Sequence, residues 1–267
     1  MKRIIFFLVI CFLLQPLARA KGVRTYSGNA KIYLEEHFQR RLRQQERQQH
    51  NNDAATAELT VSLRLWAEQG NNQELLNVAR RVQRAGKMAV DCESSQVAYL
   101  WLHNGEENFV CLLPGVLLEK DYLGNNLLHK AKNLQTVTAV GYVVRNFYPS
   151  DFSVIQRLQD EKNLAQETPL ISHVSRGDLE SFFQLYEGSS LSKAIEAQEK
   201  AGFSNQDLSS QSATFAYWSE IEKYGMNAAG KNIVQLVQQQ QPCEAQKNIL
   251  HFFSRHAPYL LNERNLL

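Results

Sequence analysis

Asp121-Tyr122-Leu123-Gly124-Asn125-Asn126-Leu127-Leu128-His129-Lys130-Ala131 reads as a polar turn followed at once by a short apolar helix. Gly124 permits the turn, and the leucines after it supply a face to bury. The phrase returns as Gln166-Glu167-Thr168-Pro169-Leu170-Ile171-Ser172, where Thr168 caps a helix and Pro169 starts it with φ already set. Ser175-Arg176-Gly177-Asp178-Leu179-Glu180-Ser181-Phe182-Phe183 then reads as a tight Gly-Asp turn and a second helix. A third copy runs from Ile221 to Leu236, with Gly230 at its turn, and Ala245 to Pro258 supplies the second helix. Leu128 to Leu170 is 42 residues and Leu170 to Val234 is 64. The array is therefore irregular, and the longer interval has room for another helical pair at Leu191 to Ala201 and Ser212 to Tyr224.

These phrases resemble the opening of the ankyrin repeat, a Gly-Asn-Thr-Pro-Leu-His-x-Ala-like turn and helix start whose standard period is about 33 residues. The likeness is closest at 121–131 and 166–183, and it extends over most of residues 54–258. It implies a mainly α fold: an ankyrin-like helical-repeat solenoid over 119–261 with an inserted β-hairpin. One such unit cannot cover its own apolar face, so neighbours stack into a one-dimensional core and leave a concave surface of turns and first helices. In ankyrin-like proteins that surface generally binds other proteins. The resemblance also assigns His129 to hydrogen bonding between repeats, with His173 two residues beyond the equivalent point.

Upstream, residues 54–88 read as a helical pair, a degenerate repeat. Leu59, Leu63, Trp66 and Ala67 form one face, Gly70-Asn71-Asn72 the turn, and Leu75, Leu76, Val78, Ala79 and Val82 the next face. The period then changes to that of a β-hairpin insertion at 89–118, with apolar runs at 96–102 and 108–113 around His103-Asn104-Gly105-Glu106-Glu107. Both strands are almost continuously apolar, so both faces should be covered or one should meet a partner. Residues 21–53 read as a basic Gln/Arg-rich helical arm that Asn51-Asn52-Asp53 breaks. Its Arg40, Arg41, Arg43 and Arg47 suit a solvated face, or a phosphate or anionic lipid.

With 267 residues, 44% apolar and 21% charged, the chain can bury a core in one or two domains. A net charge of +2 excludes the strong basic excess of a dedicated nucleic-acid binder. Met1-Lys2-Arg3, the apolar run Ile4 to Leu14 and Ala18-Arg19-Ala20 read as a signal peptide over 1–20. That run of 11 residues is shorter than the roughly 18 to 20 that cross a bilayer, and no later segment could span one. Cleavage near Ala20 would leave 26 basic against 27 acidic side chains, and Cys92, Cys111 and Cys243. In an oxidising compartment these form one disulfide, Cys92 with Cys111 being the nearest pair, or stay as buried free thiols.

No catalytic, cofactor-binding or metal-binding residue is assigned. The chain has no Gly-x-Ser-x-Gly, His-Glu-x-x-His, phosphate-loop or Gly-x-Gly-x-x-Gly motif. His251 and His256 are five apart and do not share a helix face as an i, i+4 pair would; His37 and His50 flank the polar helix. Glu35-Glu36 and Glu106-Glu107 are sequence neighbours whose side chains diverge, and Gly188-Ser189-Ser190 reads as a polar loop. Trp101, Phe109, Phe147, Tyr148, Phe152, Tyr217 and Trp218 exceed what a thin solenoid easily hides, and any on the concave face are candidate anchors for a protein. The expectation is a periplasmic or secreted protein-binding scaffold or adaptor without enzymatic activity or cofactor. It would serve as a subunit of a bacterial envelope or secretion-system assembly, or as a secreted effector. Its partner would be a protein, not a nucleic acid, and the mature chain would carry no transmembrane span, although it could associate with a membrane surface or an envelope complex. The rival expectation is a periplasmic or secreted hydrolase acting on cell wall or a host molecule.

Overall fold

A computed structural model of the chain describes residues 26–88, 92–151, 153–200 and 219–261. The expected signal peptide, residues 1–20, lies outside them, as does most of the helix expected from Ser212. The chain divides into two units at Asn51 and Asn52. In the first unit, the described residues belong to the opening of helix α1 (Tyr26–Gln69), and from Glu36 to Asn51 every side chain except half-buried Leu42 is exposed.

The second unit is mainly helical with a two-stranded antiparallel sheet. The expected break at Asn51-Asn52-Asp53 does not occur, since α1 is continuous to Gln69. Asn52 is buried, and its Oδ1 accepts the Cys111 backbone N–H at 3.1 Å, so a residue that reads locally as a breaker is a tertiary contact. Ala55, Leu59, Leu63 and Ala67 continue its buried face at helical spacing. Asn71 caps α2 (Asn72–Gly86) by accepting the Glu74 N–H, and Leu75, Val78, Ala79, Val82 and Ala85 form the buried stripe.

Strands β1 (Val97–His103) and β2 (Glu106–Leu112) pair around Asn104 and Gly105, whose φ values of 52° and 81° are those of a tight hairpin turn. Tyr99, opposite Val110, and Trp101, opposite Asn108, share the face toward the helices. There Arg81 donates to the Tyr99 hydroxyl at 3.3 Å, and Trp101 Nε1 donates to Glu58 at 3.0 Å. The other face carries buried Leu100 but leaves Leu102 and Phe109 exposed, so it is only partly covered. Cys92 and Cys111 form a disulfide that ties the start of this segment to β2. Cys243 is a free, exposed cysteine rather than a buried one; it caps α10 (Glu244–His256) by accepting the Gln246 N–H.

The remaining helices are α3 (Leu127–Lys130), α4 (Leu134–Phe147), α5 (Ser153–Asp160), α6 (Pro169–Ser175), α7 (Phe182–Tyr186), α8 (Ser190–Lys200) and α9 (Ile233–Gln238). Three of them, α3, α6 and α9, start from the same turn. Asp121, Asn163 and Asn227 each donate their N–H to the carbonyl four residues on, at 2.9, 3.0 and 3.0 Å, and each accepts the N–H three residues on. Their side chains accept backbone N–H groups inside the turn: Leu123 and Asn125, Glu167, and Ala229 and Lys231 respectively. The fourth residue of each turn, Gly124, Gln166 or Gly230, has positive φ. The next helix cap follows immediately at Asn126, Thr168 and Asn232. Helix α3 packs on α6, and α6 on α9.

One buried apolar cluster runs from Ala55 to Leu260 and includes Leu128 and Leu170. No helix among the described residues is long and apolar enough to cross a membrane. The disulfide closes a loop with a sequence separation of 19, which restricts the unfolded chain by about 3 kcal/mol. Replacing Cys92 and Cys111 together by alanine is expected to lower the unfolding free energy by about that amount in a denaturant titration. An unreduced digest should show the two cysteines linked and Cys243 alkylated; alkylation of all three contradicts the pairing.

Candidate functional site

The junction between α3 and α6 is closed by buried polar groups rather than by apolar packing alone. Asn126 caps α3 by accepting the N–H groups of Leu128 and His129, and its own N–H donates to His129 Nδ1 at 3.3 Å. Nδ1 also lies 2.9 Å from Asn126 Oδ1; the proton on Nε2 is fixed by the Glu167 carbonyl, which can only accept, at 2.9 Å. Glu167 ends the second turn, so the ring of one unit holds the turn of the next. The contact is reciprocal: His173 Nε2 lies 2.9 Å from the Leu128 carbonyl oxygen. Its Nδ1 donates to Asp178 at 2.7 Å, and Arg176 donates to the carbonyls of His129 and Ala131.

The turns also touch. Leu164 N–H donates to the Leu123 carbonyl at 2.9 Å, and Asn163 Nδ2 donates to Asn125 Oδ1 at 3.0 Å. Besides its φ of +77°, Gly124 packs tightly, because a Cβ there would meet the Leu164 nitrogen at 3.0 Å and force that backbone to shift. Cap residues reach forward in the same manner. Asn126 Nδ2 donates to the Leu158 carbonyl at 2.8 Å, and Asn232 Nδ2 donates to the Leu260 carbonyl at 3.2 Å.

Burial is the chief cause that lowers the His129 pKa to about 4, although the bond to Glu167 favours protonation. Burial works the other way on Asp178, but hydrogen bonds from His173 and Ser181 outweigh it and hold that carboxyl below its ordinary range. The Ser181-Asp178-His173 contact has the residue types of a nucleophile relay but not its order. Ser181 Oγ donates to Asp178 at 2.7 Å instead of meeting the imidazole, and His173 Nε2 faces Leu128 and Arg176. Its geometry locks α6 to its own turn and to α3.

The other residues singled out in the sequence are placed separately. His256 pairs with Glu199 at 3.2 Å, while His251 lends its carbonyl to Ser254. Gly188 and Ser189 form the turn between α7 and α8, and Ser190 opens α8: Ser189 is buried, and Asp160 accepts both the N–H and the hydroxyl of Ser190. Glu107 is paired with Arg84 at 3.0 Å. Among the described residues no group of three His, Cys, Asp or Glu is placed to hold a metal ion. Of the aromatic candidates, Trp101 and Phe147 are core, Tyr148 is half-buried and Phe109 is exposed; Phe152, Tyr217 and Trp218 lie outside the described residues.

The two most exposed large apolar side chains, Tyr122 and Leu164, stand on the turns. Tyr122 is 87% exposed, Leu123 45% and Leu164 71%, and Ala165, Ala228 and Ala229 are exposed at the corresponding tips. In the sequence Tyr122 and Leu123 read only as part of a turn, and Leu164 as part of no motif. The signal that could have found them is local: an Asp or Asn five residues before each cap fixes which residues form the tip.

Stability should fall as pH drops from about 6.5 to about 4, because in that window the unfolded imidazole of His129 takes up a proton that the folded one refuses. The full effect is about 3 kcal/mol. Glutamine stands at the matching position of the third motif, where Gln235 Oε1 accepts the Asn232 N–H at 2.9 Å. A His129→Gln variant is therefore expected to keep the cap, to lose about 1 kcal/mol at pH 7 with the Glu167 bond, and to lose most of the slope between pH 6.5 and 4.5. Denaturant midpoints across that range check this, and an unchanged slope contradicts the buried neutral imidazole.

No protein-family model, curated protein or solved structure matches this chain.

Proposed function

We propose that the chain is a divergent ankyrin-like helical-repeat solenoid that binds a protein partner along its turn tips and first helices. In this reading a leader ending near Ala20 exports it, and it acts in the periplasm or outside the cell. Its role is that of a scaffold or adaptor, as a subunit of an envelope or secretion assembly or as a secreted effector. The observation that supports the reading most is the recurrence of one turn in three places with apolar side chains at its tips. Tyr122 and Leu164 are the most exposed large apolar residues of the described chain, and Leu123 lies between them through the Leu164 N–H bond. Burying such residues from water is unfavourable to forgo, and a row of them on a rigid frame is an interaction surface. The disulfide suits an oxidising compartment.

The test is a photo-crosslinking residue at Tyr122 or Leu164 in the native host, with Tyr142, 53% exposed on α4, as the control position. The expected result is one discrete adduct from both tip positions, none from Tyr142, and a mature chain that begins at Lys21. Tyr122→Ala with Leu164→Ala should weaken capture of that partner by about tenfold or more without loss of folding. A folded chain that yields no tip adduct, or the same adducts from Tyr142, overturns the proposal.

A further inference from the structure

The turn Asp121–Asn125, the end of α1 and the bodies of α3 and α6 meet at a cleft of about 360 Å³. Its lining carries Lys130, Lys132 and Arg176 against one carboxylate, Glu68, with Asn125 and Ser172 as neutral polar groups. Counting Asp121, which pairs with Lys130, three cations face two carboxylates and leave one positive charge in excess. The cations differ in how far they are already used. Lys130 is held between Asp121 at 3.1 Å and Glu68 at 3.6 Å, and burial of its ammonium is outweighed by these carboxylates, so its pKa is raised. Arg176 spends its donors on the carbonyls of His129 and Ala131 and on His173, with other N–H groups left over from its five. Lys132 is exposed and reaches the Gln69 carbonyl only at 3.5 Å, the outer limit of a hydrogen bond.

An ammonium with three donors and one long contact, beside a guanidinium fixed by carbonyls, is arranged for an anion to bridge. We propose that this cleft receives an aspartate or glutamate carboxylate of the protein partner, seated between Lys132 and Arg176. The inference rests on the protein-binding reading above. Asn125 joins the two surfaces, since it lines the cleft and ends the turn that displays Tyr122 and Leu123. A segment with a carboxylate beside apolar residues fits both at once: the acid in the cleft, its apolar neighbours on the tips.

The experiment uses the full mature chain and a fluorescein-labelled peptide Leu-Leu-Glu-Glu-Leu, with Leu-Leu-Gln-Gln-Leu as its neutral counterpart, read by fluorescence anisotropy at low salt. The expected result is saturable binding of the acidic peptide, at least tenfold weaker for the neutral one and for Lys132→Glu, and unchanged or tighter for Glu68→Gln. Equal binding of both peptides, or by wild type and Lys132→Glu, overturns the proposal, as does no binding of the acidic peptide. Displacement by an equal concentration of inorganic phosphate overturns it in favour of a small-anion site. If cross-linking at Tyr122 captures the native partner equally well in Lys132→Glu, the carboxylate assignment fails while the docking reading stands.

Discussion

The hydrogen bonds from His129 to the Glu167 carbonyl, and from Arg176 at the end of α6 to the carbonyls of His129 and Ala131, are the constraint on which the central part of the molecule depends. Helix α3 has 4 residues, α6 has 7 and α9 has 6, far below the length at which a helix holds in water by itself. Each must therefore be fixed by its neighbour. Apolar burial supplies the bulk of that fixing but sets no direction, whereas a buried imidazole that loses its partner is costly. His129 donates from α3 and Arg176 from the end of α6, in opposite directions across one junction, so sliding α3 past α6 would break these bonds together.

The same logic explains the turns. Asp121, Asn163 and Asn227 satisfy their own backbones locally, which lets each tip project without drawing on the core. Apolar residues at those tips are consequently free of structural duty. At the other end of this unit, α1, α2 and the hairpin close the core through a different device: one helix asparagine bonded to a strand N–H, and a disulfide beside it. One apolar interior from Ala55 to Leu260 runs past both sets of polar contacts.

Features governed by short-range chemistry were legible in the sequence. Asn104-Gly105 marks the hairpin, Thr168-Pro169 the start of α6, and the apolar spacing from Leu75 to Val82 the buried stripe of α2. Features decided by distant partners were not. Asn52 reads as a helix breaker because its partner, Cys111, lies 59 residues away. That Ser190 opens a helix is hidden because the carboxylate that receives it, Asp160, belongs to another helix. Of the candidate site, the turn glycines Gly124 and Gly230 were legible, since positive φ there is a local demand. Its exposed part was not, because Tyr122 and Leu164 have the composition of core residues and only the turn geometry shows that they face water.

Native-state hydrogen exchange of the α3 and α6 amides tests the interlock most directly. The Lys130 and Ala131 amides, bonded to the Asn126 and Leu127 carbonyls, should open with the Ser172 and Arg176 amides of α6 at free energies equal within about 1 kcal/mol. Exchange of the α3 amides through an opening several kcal/mol easier than that of α6, with α6 still protected, would show that the two helices are not held as one unit and would contradict the account.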